Sequence, residues 1–95
     1  MTGANRRRTA VLISGRGSNM QALVQASRAT DYPAEIALVV SNRADAAGLA
    51  WAEQQGISTA VVDHKAFPDR VAFDQRIGDI LREAGIELVA LAGFM

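Results

Sequence analysis

Gly15-Arg16-Gly17-Ser18-Asn19 is the stretch of this sequence best suited to chemistry, and that chemistry is anion binding. It follows the apolar run Val11-Leu12-Ile13 and precedes residues at helical spacing, which marks a strand–turn–helix junction. A helix start offers unpaired backbone N–H groups and the positive end of the macrodipole, so its natural ligand is a phosphate. Ser18 and Asn19 add side-chain donors at the same point, and glycine lets backbone approach an anion without a Cβ in the way. The residues alone leave two readings open. One is a phosphate-monoester site on Gly17, Ser18 and Asn19; the other is a tight turn with Ser18 or Asn19 as an ordinary helix cap. A dinucleotide fingerprint is incomplete, because its third glycine would fall at Met20 and the second strand ends in Ser41-Asn42-Arg43 rather than an acid. A Walker A loop is absent, since no Gly-Lys-Ser/Thr follows the first glycine.

Other reactive groups are sparse. The 95 residues contain no cysteine and one histidine, which excludes a thiol nucleophile, a disulfide framework and a zinc cluster. His64 sits in the polar string Asp63-His64-Lys65, where neighbouring side chains point in different directions, so it reads as a surface residue and not as a catalytic base. Asp69, Asp74, Asp79, Glu83 and Glu87 read as caps and solvated faces. No residue of this chain is assigned a catalytic role, and none a metal. Ten basic residues balance ten acidic ones, and a nucleic-acid-binding domain would carry a basic excess. The apolar runs are of strand length, far short of the ~20 residues of a membrane span. Residues 1–8, MTGANRRR, lack the apolar core of a secretory signal, which suits a cytoplasmic chain; they read as a flexible basic tail.

The elements that must hold the turn follow from periodicity. Thr9 to Ile13 is the first strand, and Met20, Leu23, Val24 and Ser27 fall on one face of a helix that Asp31-Tyr32-Pro33 ends. Ile36 to Val40 is continuously apolar, as a strand buried on both faces requires. A helix from Ala46 to Gln55 follows, with Asp45 as its expected cap and Gly56 as its stop. Thr59 to Val62 is a short strand. Phe73, Ile77, Ile80, Leu81 and Ala84 make a helical stripe that opens at Pro68 or Asp69 and closes at Gly85. Glu87 to Leu91 is the last strand. The alternation β-α-β-α-β-α-β implies an α/β, Rossmann-like parallel sheet with right-handed crossovers. Such a sheet binds ligands beyond the carboxyl ends of its strands. Three helices on four strands also leave part of one face or edge uncovered, so residues 9–95 read as the amino-terminal part of a longer domain.

The strings LISGRGSNMQAL, VVSNRADAAGLAWAEQQGI, AFPDR and VALAGFM occur in that order. From about Thr9 to Met95 the chain closely resembles the amino-terminal half of the phosphoribosylglycinamide formyltransferases, also called glycinamide ribonucleotide transformylases. The resemblance implies transfer of a formyl group from 10-formyltetrahydrofolate, as cosubstrate, to the amine of glycinamide ribonucleotide in purine biosynthesis. It implies that Gly17, Ser18 and Asn19 bind the ribonucleotide through its 5′-phosphate. It further implies that Arg70 contacts the formyl-folate and that Met95 begins the segment lining the pterin pocket. A guanidinium suits the anionic tail of a folate, and a thioether suits a flat ring. The family's catalytic Asn, His and Asp lie beyond the Leu-Ala-Gly-Phe-Met string, so the chain by itself is expected to be inactive. Two other readings are a fragment of a formyltetrahydrofolate deformylase, which needs no ribonucleotide phosphate site, and a non-catalytic phosphate-binding module. The expected partners are small molecules, with neither nucleic acid nor membrane among them.

Overall fold

The computed structural model describes residues 7–15, 17–29 and 34–92. Strands and helices alternate as β1 (Arg7–Ile13), α1 (Ser18–Ser27), β2 (Ala34–Ser41), α2 (Ala47–Gln54), β3 (Ser58–Val61), α3 (Arg70–Glu83) and β4 (Leu88–Leu91), with a 3-10 turn at His64–Ala66. All pairings are parallel, and the strand order is β3-β2-β1-β4. Asp31-Tyr32-Pro33, expected to end α1, lies outside the described residues, as do residues 1–6 and Met95.

The order explains why β1 and β2 are continuously apolar. Both are interior strands, so each buries two faces. Val11, Ile13 and Val39 face Met20 and Val24 of α1 and Leu49 and Ala52 of α2. Ala10, Leu12, Leu38 and Val40 face the other way, against Phe73 and Ile77 of α3. Two crossovers, α1 and α2, therefore step the chain one way from β1, and α3 carries it back across the opposite face to β4. Strand order thus reverses beside β1, which puts a switch point between β1 and β4. The turn after β1 lies at the carboxyl end of the sheet, where the Gly15 carbonyl accepts the Gly48 N–H of α2.

Three local details differ from expectation. β1 begins at Arg7, so Arg7 and Arg8 belong to the sheet and not to a tail. Arg8 donates from Nε and Nη2 to the Ala84 carbonyl at 3.1 and 2.9 Å, which satisfies a carbonyl at the end of α3 and sets a cation at its negative pole. Asp45 does not cap α2; the cap position is Ala46, without a side-chain bond, and Asp45 instead receives Nε and Nη2 of Arg43 at 3.1 and 3.0 Å. Of the two starts expected for α3, Asp69 is the cap: its Oδ1 accepts from the Ala72 N–H at 2.8 Å. The expected stripe is buried at Phe73 and Ile77, while Ile80, Leu81 and Ala84 pack at its margin.

Candidate functional site

The candidate site is the carboxyl end of the sheet, where each helix among the described residues begins. In a parallel β-α-β chain each helix starts where a strand ends, so α1, α2 and α3 all present their N-termini there. The turn from β1 into α1 is built around Gly17. It holds the cap position with φ 72°, a left-handed conformation that a side chain adopts only with strain. A Cβ there would also lie 2.9 Å from the Met20 Cε and 3.4 Å from the Gly48 Cα. The backbone conformation therefore selects glycine, and the Met20 methyl would have to shift to admit a side chain. Gly15 differs: it is exposed, has no positive φ, and a Cβ on it meets nothing within 4 Å. Of the two glycines in this turn, Gly17 alone needs to be glycine for its backbone conformation.

The cap geometry decides one of the two readings left open by the residues. Gly17, not Ser18 or Asn19, is the cap, and no side chain bonds to the first turn. Ser18 and Asn19 are the first two helical residues and both are exposed. The first intrahelical bond runs from the Gln21 N–H to the Gly17 carbonyl at 2.8 Å, so the N–H groups of Ser18, Asn19 and Met20 precede it. The first turn carries no acidic residue. Two exposed polar side chains and a row of amides without intrahelical partners thus sit together at the helix start, an arrangement able to accept an anion.

Arg70 opens α3 at the same end of the sheet but on the opposite face from α1. Its Nε donates to Asp74 Oδ1 at 3.0 Å, and its Cζ lies 5.4 Å from the centre of the Phe73 ring. These contacts hold the stem and Nε, and leave the terminal nitrogens able to meet a carboxylate. The fold therefore brings Gly17, Ser18, Asn19 and Arg70 to one end of the sheet without joining the turn and Arg70 into one cluster. Met95 lies outside the described residues.

A second set of residues at this end was not singled out from sequence. Ser14, Asn42, Arg43, Ala44, Asp45, Asp63 and Lys65 line a cleft of about 610 Å³ beyond β1, β2 and β3. The buried Ser41 fixes the exit from β2, its Oγ bonding both the N–H and the carbonyl of Arg43 at 3.0 Å. Arg43 holds the Asp45 carboxyl below its ordinary value of 3.8, first by hydrogen bonding and then by its charge. The available signal was position: Ser41-Asn42-Arg43 and Asp63-His64-Lys65 are the polar exits of adjacent parallel strands. His64 begins the 3-10 turn between Asp63 and α3.

Known proteins resemble the chain over nearly its whole length. The family model described as formyl transferase matches residues 7–95. The human trifunctional purine biosynthetic protein adenosine-3 is 51% identical over 88 residues, which cover 93% of this chain and 9% of that protein. Phosphoribosylglycinamide formyltransferase of Haemophilus influenzae is 45% identical over 89 residues, covering 94% of this chain and 42% of that protein. Among solved structures, glycinamide ribonucleotide transformylase 1 of Symbiobacterium toebii superimposes with a TM-score of 0.90 at 42% identity, covering 96% of this chain and 43% of that one. The formyltransferase of Brucella melitensis gives 0.90 at 43% identity, covering 95% and 47%. The chain thus spans less than half the length of each of these relatives.

Proposed function

The chain belongs to the formyl transferase family, and from that premise we propose that it is the ribonucleotide-holding part of a phosphoribosylglycinamide formyltransferase. The observation that carries this reading is the Gly17 turn. Its left-handed cap directs the amides and side chains of Ser18 and Asn19 outward, where they grip the 5′-phosphate of glycinamide ribonucleotide. Arg70, restrained by Asp74 and Phe73, meets an anionic group of 10-formyltetrahydrofolate. Met95 begins the wall of the folate pocket. Formyl transfer requires a base for the attacking amine and a donor for the oxyanion. Neither is assigned to a residue of this chain, so the chain alone binds phosphate and transfers no formyl group. A part in purine biosynthesis supports a cytoplasmic location.

The intact Gly-Ser-Asn turn favours the transferase over a deformylase, which has no ribonucleotide phosphate to hold. The experiment is Asn19→Ala in a formyltransferase domain that carries this half. Loss of one charge-assisted hydrogen bond raises the KM for the ribonucleotide about tenfold, with little change in the KM for formyl-folate. An unchanged ribonucleotide KM removes the phosphate role of the turn.

A further inference from the structure

We infer that Gly48, in the first turn of α2, is a positioning residue for the Gly17 turn, and that its backbone N–H couples α2 to the anion the turn holds. Gly48 touches no ligand itself, and its role rests on the phosphate site proposed above. Glycine is the poorest helix former after proline, yet it is the second residue of α2, between Ala47 and Leu49, and it is buried there. What the structure gives this glycine in exchange lies outside the helix. Its N–H donates to the Gly15 carbonyl at 3.2 Å. Its Cα lies 3.4 Å from where a Gly17 Cβ would stand, so the backbones of α2 and of the turn run in close contact.

The bond serves both partners. Helix α2 has no side-chain cap, and the N–H groups of a first turn lack intrahelical acceptors; the Gly15 carbonyl satisfies one of them. In return the turn is held at both ends. The Gly15 carbonyl is engaged by α2, and the Gly17 carbonyl by the Gln21 N–H of α1 at 2.8 Å. A carbonyl oxygen left open beside a phosphate repels it. Here both carbonyls are occupied by helix N–H groups, while the amides of Ser18 and Asn19 precede the first intrahelical bond. Gly15 is exposed and a Cβ on it meets nothing, so what it contributes to the turn is its carbonyl and not its lack of a side chain. Opening of the Gly15–Gly48 bond releases one end of the turn. A ligand that binds the closed turn more tightly therefore strengthens the bond by the same factor by which the bond strengthens binding.

The test is an NMR titration of the 95-residue chain with inorganic phosphate, read at the Ser18, Asn19 and Gly48 amides. Gly48→glycolate, made by chemical synthesis, puts an ester where the amide was, which deletes the N–H and adds no bulk. It raises the phosphate Kd at Ser18 and Asn19 about fivefold, as the loss of one backbone hydrogen bond implies. Ala50→Gly, at an exposed position of the same helix, weakens α2 without touching the turn and leaves that Kd unchanged. In the unaltered chain, saturating phosphate slows hydrogen exchange of the Gly48 amide by up to about fivefold. A Kd that the ester leaves unchanged overturns the inference, as does an equal rise in Ala50→Gly, which would make the effect one of helix stability alone. Should the ester chain not fold, the exchange rate of the unaltered chain decides, and a Gly48 amide that saturating phosphate does not slow overturns the inference. Ser18 and Asn19 amides that ignore phosphate in the unaltered chain overturn the phosphate site and the positioning role together. Amides there that respond while Gly48 does not remove the positioning role alone.

Discussion

At the scale of single residues, Gly17 and Gly15 separate what the turn requires from what it contains. Gly17→Ala forces a side chain into the left-handed region and against Met20, so it lowers stability by about 1–2 kcal/mol in denaturant unfolding. Gly15→Ala changes it by no more than about 0.5 kcal/mol, since a Cβ there meets open space. Equal effects of the two substitutions contradict this division. The types of Ser18 and Asn19 were enough to suggest an anion site, because a helix start says what its first residues face. The role of Gly17 as the cap needed the backbone, and Asn42 needed the strand order, because its burial depends on which strands flank β2. Asp45 shows the same limit: it looked like a helix cap by position, yet a bidentate arginine two residues away claims its carboxyl. With its pKa lowered, the folded state favours ionised Asp45, so the pair contributes above the ordinary value of 3.8 and that contribution is lost as pH falls through the folded value. Both side chains are largely exposed, so the effect on stability is small. An NMR titration of the carboxyl carbon should find Asp45 back at its ordinary value in Arg43→Ala, and no change between the two proteins removes the assigned cause.

At the scale of elements, the helices and strands were largely legible, because a buried parallel strand and an amphipathic helix have different apolar periods. The ends of α3 show where legibility stopped. Its start was written in Pro68-Asp69, and Asp69 closes the first turn through Ala72. Its finish is held by Arg8, 76 residues earlier, a contact no local pattern contains. Asp69→Ala removes the cap and costs about 1 kcal/mol, read as a lower urea midpoint with an unchanged slope. An unchanged midpoint means that the cap bond is redundant with the packing of Phe73 and Ile77. Helix α2 has no such side-chain cap; instead the Gly48 N–H donates to the Gly15 carbonyl at 3.2 Å, which ties the second helix to the turn that follows β1.

At the scale of the whole molecule, strand order determines which surface is left open. The β-α alternation implied the parallel sheet but left that order undetermined; the order places β4 at an edge. Leu88, Val89 and Leu91 are 44%, 47% and 70% exposed there, in a strand without a charged residue. Such an edge pairs readily with other chains. Sedimentation should therefore show concentration-dependent association of the 95-residue chain that Leu91→Lys reduces; a chain that stays monomeric at every concentration contradicts the importance of this edge. The same topology sets α1 on one face and α3 on the other, with the β1–β4 switch point between them, and thereby gives the Gly17 turn its place. The central claim is that this turn grips a phosphate, and a phosphate titration read at individual backbone amides tests it most directly. Saturable shifts at Ser18 and Asn19, abolished or strongly reduced in Gly17→Ala, are the result expected. Amides of Ser18 and Asn19 that stay unmoved at saturating phosphate, while the chain remains folded, would contradict it.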